Sequence, residues 1–261
     1  MASVGDVYSS ETEHKFRALS DDLVSLFAGS TARAKELAMI YQSLLKREAL
    51  PANPTEVLEH LRKPLVELKR RLANSYAGAR LAVSYDDLRN HGERWFGHDR
   101  WQRHMEAIDQ HDPNVEMIVA GFSRTIPLLY RISRVGGWLD VEPVTNFCAT
   151  GTGAYTAEPA LHAREQAFNA NLDQTLYNVY EAKKIGETSR AVGKKTITLV
   201  VHPASTEDPG VVRIQYLSAV GEKDLQKRFK KYGPRPIPPF PGLPEGSLLD
   251  TSSIRGKAGT A

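Results

Sequence analysis

The order in which strand-like and helix-like segments follow one another is the strongest constraint this chain places on its fold. Residues 16–19 and 23–28 read as two short strands around the turn Ser20-Asp21-Asp22, which makes a hairpin. Ala34, Leu37, Ala38, Ile40, Tyr41 and Leu44 then recur at spacings of three and four, with Ser30 placed to cap, and predict a helix over 30–47. Pro51 and Pro54 punctuate the next junction. Val57, Leu58, Leu61, Leu65, Leu68 and Leu72 mark a second long helix, with Pro64 as a kink point. VEMIVAGFS, IPLLYRIS and WLDVEPVT are strand-length, separated by turn chemistry that includes Gly136-Gly137, and predict a meander. Two further helices follow, one carrying Ala160, Leu161 and Ala167 and one over residues 172–185. KTITLVV and VVRIQYLSA read as strands again. Strands, two helices, strands, two helices, strands: this order argues against a parallel doubly wound sheet and for an α+β fold of antiparallel sheets covered by helix layers.

Two stretches stand outside that alternation. Residues 83–113 hold RNHGERWFGHDRWQRH and read as an inserted, charged excursion, expected to project outward with its aromatic residues against a neighbour. His91, His98, His104 and His111 are spaced by six and seven, which does not bring two of them onto one helical turn, so a solvated or interface segment is preferred to a metal site. Trp95, Phe96 and Trp101 interleave with Arg94, Arg100 and Arg103, but without a matching fold they do not make a nucleic-acid surface. After KDLQKRFKKYG, a short basic helix, comes PRPIPPFPGLPEG, whose prolines favour an extended course over the surface or toward a partner. Residues 247–261 are expected to be disordered. The chain thus divides into a body over 1–222, with the insertion at about 83–113, and a tail over 223–261.

Composition narrows the function classes. With 34 basic and 31 acidic side chains the net charge is only +3, so no general electrostatic case exists for nucleic acid or a membrane surface. The single cysteine, Cys148, forms no internal disulfide, sits in an apolar context and reads as a core thiol. No apolar run is long enough to cross a bilayer, and the first twenty residues lack the apolar core of a signal peptide. A cytoplasmic protein is expected.

Several of these segments, taken in order, resemble the proteasome β-subunits and their bacterial relatives of the threonine-peptidase type. EHKFRALSDDLVSLFAGSTARA is similar to the family stretch that runs from a strand bearing a lysine, through a hairpin, to an Ala-Gly turn and the first helix. VEMIVAGFSRTIPLLYRIS resembles its central strand pair, CATGTGAY its Gly-Ser-Gly turn, and VGKKTITLVV its penultimate strand. No single piece is specific; their collinear order over about residues 1–203 is. The resemblance implies an αββα N-terminal-nucleophile (Ntn) hydrolase sandwich, two antiparallel sheets between helix layers. It further implies peptide or unfolded-protein substrates, a homo-oligomeric ring with the 30–47 helix near a subunit contact, and no cofactor or metal.

In that family an N-terminal Thr is the nucleophile and its own α-amine the general base. The resemblance places the lysine that tunes this pair at Lys15, the oxyanion donor at Gly29 and the hydroxyl of the glycine turn at Thr152, and it implies substrate-binding positions at Ser3, Phe27 and Thr31. It places the Thr itself, and the family's first Asp, upstream of Met1. Removing Met1 exposes Ala2, which has no nucleophilic atom, and the Ser3 hydroxyl lies one residue too far in. Two accounts stay open: a gene product that starts further upstream, or a noncatalytic scaffold or regulatory subunit. The supporting Asp and Ser of the family fall in GETSRAVGKK, where Glu187, Thr188 and Ser189 stand and no Asp is present. Gly29 also reads as a positive-φ turn residue and Thr152 as a helix cap.

Overall fold

The computed structural model describes residues 3–4, 7–8, 15–135, 138–189, 192–194, 196–203, 214–233 and 248–249. Two two-residue strands, β1 (Ser3–Val4) and β2 (Val7–Tyr8), pair antiparallel. β3 (Phe16–Ala18) and β4 (Leu23–Gly29) form the expected hairpin, in which the Ser20 hydroxyl accepts from the Asp22 and Leu23 amides. α1 (Thr31–Arg47) follows, capped by Ser30. α2 (Pro54–Leu81) is one helix with Pro64 inside it and continues nine residues past Leu72, because Ala73 and Ala77 extend its buried stripe.

The excursion is helical. α3 (Tyr85–Phe96) and α4 (His98–Asp109) make a hairpin broken at Gly97, and Ser84 caps α3 through the Asp87 amide. Its apolar side turns inward onto the second half of α2: Leu88 and Ile108 are buried against Ala73 and Ala77, with Phe96, Trp101 and Met105 packed alongside. Trp101 donates its indole N–H to the Leu88 carbonyl at 3.0 Å. Only Trp95, about half exposed, remains an outward aromatic among the three that the sequence singles out.

β5 (Val115–Ser123), β6 (Ile126–Val135) and β7 (Trp138–Pro143) are the expected meander, and with β3 and β4 they complete a five-stranded antiparallel sheet in the order β3-β4-β5-β6-β7. The Gly136-Gly137 turn lies outside the described residues. α5 (Ala154–Ala163) and α6 (Leu172–Gly186) come next. Ala167 lies beyond the end of α5. β8 (Leu199–Val201) is shorter than the KTITLVV run, and β9 (Ile214–Leu217) leads through the capping Ser218 into α7 (Ala219–Tyr232). α7 begins before residue 222 and packs Leu225 and Phe229 into the body, so the division at 222 falls inside a helix. β10 (Leu248–Leu249) pairs with β9, and this part of the 247–261 segment therefore extends a sheet; the remaining tail residues lie outside the described ones.

The chain is thus a mixed α+β fold with antiparallel sheets and, among the described residues, seven helices. Strand alternation splits the faces of the large sheet. Leu23, Phe27, Met117, Val119, Tyr130, Ile132 and Val141 pack with α1 and α2, where the buried Tyr41 donates to the Leu61 carbonyl. The small sheet β10-β9-β8 packs Val200 and Leu217 against Leu176, Tyr177 and Tyr180 of α6 and Leu225 of α7. The two sheets meet where the Phe16 and Tyr216 rings stand edge to face, 5.7 Å between centroids.

Candidate functional site

The end of β4 is where distant segments converge. Gly29 closes the strand at φ +85°, a left-handed conformation that an L side chain adopts at a cost. A Cβ there would lie 2.2 Å from the Asn114 carbonyl oxygen, which accepts from the Ser30 amide at 2.6 Å. Glycine is therefore required by both conformation and space. The Phe27 amide donates to the Lys15 carbonyl at 3.0 Å, and amide directions alternate along a strand, so the Gly29 N–H lies on the Lys15 side of β4.

The Gly151-Thr152-Gly153 turn packs against this strand end. Gly151 has φ +80°, and a Cβ on it would meet the Ala28 Cβ at 2.9 Å. One Glu116 carboxylate oxygen accepts from the Thr150 hydroxyl at 2.6 Å and from the Gly151 amide at 3.1 Å, tying the turn to β5. The preceding strap is held from the sheet too, since Arg131 donates to the Ala149 carbonyl and pairs with Glu158, which also accepts the Ala149 amide. On its other side the turn meets the end of α6: a Cβ on Gly153 would lie 3.4 Å from the Gly186 carbonyl oxygen and 3.0 Å from Val192 Cγ2.

That helix end carries the site's charge. Lys183 Nζ donates to Glu187 at 2.6 Å and to the Gly193 carbonyl at 2.7 Å, and Lys184 Nζ donates to both Glu187 oxygens at 3.0 Å. Thr196 adds its hydroxyl to Glu187 at 3.3 Å. Burial pulls the Glu187 carboxyl up, but the bonds from the two lysines outweigh it and hold the group below its usual range. Lys15 is half-buried at the start of the described hairpin, and its ammonium is pushed below the ordinary lysine value, first by burial and then by the charge of Lys183.

Lys15, Gly29 and the Thr152 turn are thus neighbours of one region, whereas the implied substrate-binding positions scatter. Phe27 is 3% exposed and belongs to the α1/α2 core, where it offers no surface to a ligand. Thr31 is the first residue of α1 and partly exposed; Ser3 lies in β1 opposite Tyr8. Thr152 is exposed and is not the cap of α5, a place taken by Gly153 without a side-chain bond. Cys148 lies on the irregular link between β7 and α5, partly buried, and burial pushes its thiol up to about 11, which makes it a poor nucleophile at neutral pH. Sequence reasoning missed Glu116, Lys183 and Lys184. The two lysines carried one legible signal, their place in the last turn of a helix, where cations oppose the dipole.

Among the described residues no group of three or more His, Cys, Asp or Glu is placed to hold a metal ion, and no helix is long and apolar enough to cross a membrane. No known protein-family model matches the sequence, and no curated protein matches it.

Proposed function

We propose that this chain is a proteasome-like Ntn-hydrolase subunit that cleaves peptide bonds. The observation that carries the reading is the convergence of Lys15, Gly29, the 151–153 turn and the α6 terminus, from four separate parts of the chain, around the Lys15 side of β4. A four-layer αββα sandwich is part of the proposal: α1 and α2 form one outer layer, the two sheets the inner ones, and α6 and α7 the other outer layer. The two apolar clusters flanking the sheets and the Phe16–Tyr216 contact support that stacking.

The nucleophile belongs to an N-terminal Thr upstream of Met1, so the proposal requires a longer gene product. The Thr Oγ attacks the scissile carbonyl while its proton passes to the α-amine, which titrates near roughly 8 when free and lower beside a cation. The Gly29 N–H stabilises the resulting oxyanion. The protonated amine then gives its proton to the departing amine, and water, activated by the same base, releases the acyl group. Lys15 and Lys183 favour every anionic stage of this sequence by charge.

A second reading, a noncatalytic scaffold of the same assembly, is favoured by Glu187, whose two oxygens are engaged by Lys183 and Lys184. One experiment separates the two. The gene product is purified from its source, its N-terminus is sequenced, and it is treated with a peptide epoxyketone, which links to the amine and hydroxyl of an N-terminal Thr. The enzyme reading expects a Thr terminus, a covalent adduct and hydrolysis of a fluorogenic peptide, with Lys15→Ala slowing turnover on the order of a hundredfold while the fold is kept. A product that starts at Met1 or Ala2 and hydrolyses nothing refutes it. The assembled form is expected to be a closed oligomer by light scattering, and a concentration-independent monomer contradicts that part.

A further inference from the structure

On the opposite face of the large sheet, α1, the second half of α2, the residues just after α4 and the start of β7 enclose a cleft of about 190 Å³ that shares no residue with the site above. Its floor is apolar, with Leu72 and Ile108 buried beneath it and the Tyr76 and Trp138 rings beside them. Its rim brings together the cations Arg33, Lys69 and Arg80, with the His111 ring beside them, from three separate parts of the chain, and none of the side chains lining it is acidic. Cations that converge on a small volume repel one another, so an arrangement of this kind is unfavourable until an anion or a carboxylate relieves it. Two of them are partly relieved from outside the cleft: Arg33 pairs with Glu36 and Lys69 with Asp109, each at 2.9 Å. Arg80 has no ion pair among the described residues.

The ring of Trp138 supplies part of the cleft's apolar wall. Its Nε1 is buried and finds no hydrogen-bond partner among the described residues, although its ring carries the Lys69 ammonium 5.4 Å from the centroid. An unmet buried N–H is destabilising, but what Trp138 presents to the cleft is its ring. Apolar floor, convergent donors and surplus positive charge are the features of a small-molecule site. A volume of this size accommodates about six waters, or one ring bearing a single anionic group.

We propose that this cleft binds a small amphipathic anion, a compact apolar group bearing one carboxylate or phosphate, with the anion toward Arg80 and Lys69 and the apolar part over Leu72, Ile108 and the Trp138 ring. Such a ligand touches α1, α2, β7 and the chain after α4 at once, so it also fixes the α3–α4 hairpin to the body.

The test uses the full chain labelled with nitrogen-15, in which Trp95, Trp101 and Trp138 give separable indole signals, the last identified with Trp138→Phe. Phenyl phosphate and benzoate are titrated as probes, with phenol and inorganic phosphate as single-feature controls. The Trp138 signal is expected to shift saturably with at least one of the two amphipathic anions and more weakly with either control, while Trp95 and Trp101 stay. Which of the two binds more tightly identifies the anionic group. In Lys69→Gln/Arg80→Gln the affinity for that probe falls by roughly tenfold or more. If the double variant does not fold, Arg80→Gln alone, at an exposed side chain, is expected to lose about threefold. A Trp138 signal unmoved at about 10 mM probe, three indoles moving in parallel, or equal affinity in the variants each overturns the proposal.

Discussion

Replacing Gly29 by Ala tests the geometry on which the whole candidate site rests. The new methyl group would enter at φ +85°, which costs about 1–2 kcal/mol for an L side chain. It would also stand 2.2 Å from the Asn114 carbonyl oxygen, where an ordinary contact needs about 3.5 Å, so the ends of β4 and β5 must separate by more than an ångström. Asn114 has little freedom to give way, being itself at φ +50°. Separation breaks the 2.6 Å bond from the Ser30 amide to Asn114, worth about 1–3 kcal/mol once the partners are left unmet. The sum is about 2–5 kcal/mol. In a domain of this size that corresponds to a fall in melting temperature of roughly 4–20 °C. Gly78→Ala is the matched control: it lies inside α2, nothing stands within 4 Å of its added Cβ, and it should stabilise by about 0.5–1 kcal/mol through helix propensity. Urea unfolding followed by circular dichroism measures both, with equal slopes required for comparison. A Gly29→Ala protein within about 1 kcal/mol of the parent, or a control that loses as much, refutes the close approach of the two strands.

Two further outcomes follow from buried polar groups. Glu181, 3% exposed at its side chain, accepts two bonds from Arg164 at 3.0 and 2.7 Å; Glu181→Leu should cost about 3–5 kcal/mol in thermal melts, Arg164→Met/Glu181→Leu should recover most of it, and a double variant no better than the single contradicts the isolated-charge argument. His60 and His104 are held below the ordinary histidine value mainly by burial, each with Nε2 lacking a partner among the described residues, so the unfolded chain takes up their protons first. Their contribution is present above about pH 6.5 and is lost as pH falls below it; stability measured from pH 7.5 to 5.5 should drop, and less steeply in His60→Gln, with an unchanged slope counting against burial as the cause.

What the sequence disclosed depended on whether the signal was local. The β3–β4 hairpin, α1 and the meander were legible because Ser20-Asp21-Asp22, Ser30 and the alternation in VEMIVAGFS act within a few residues of themselves. The α3–α4 hairpin was missed although Trp101, Met105 and Ile108 keep helical spacing, because dense charge between them hid the stripe and its burial surface lies on α2. The last turns of α2 carried no marker in the sequence for the same reason: alanines make a weak stripe until a partner covers them. β10 was illegible since a two-residue strand exists only through the edge of β9 that it meets. In the site, Lys15, Gly29 and the glycine turn could be named one by one from resemblance. The part played by Glu116 and Lys183 could not, because each becomes part of the site only when the turn docks between β4 and α6.

That docking explains how a site is kept in register without a continuous polar network. Gly151 lets the turn approach the Ala28 methyl group and Gly153 lets it approach the Gly186 backbone, so β4 and α6 are spaced by contacts that tolerate almost no side chain on the turn. Side-chain charge is then arranged on a frame already fixed. Lys183 and Lys184 bond Glu187, Lys15 lies near Lys183, and Glu116 bonds the turn, so these groups carry three cations to two anions. Glu187 lies mostly buried between its two lysines and holds them by short bonds, so their positions carry little freedom. A preorganised surplus of positive charge beside a backbone N–H favours an anion that forms there during a reaction over a neutral ground state, because the surroundings need no rearrangement as charge develops. Removing Lys183 therefore acts on two levels: it relaxes the part of the fall in Lys15 proton affinity that comes from the neighbouring charge, and it leaves Glu187 with one lysine partner instead of two, so that its negative charge is less compensated. A peptidase would lose rate through the second effect more than through the first, since a lysine that is already cationic gains little from a higher proton affinity.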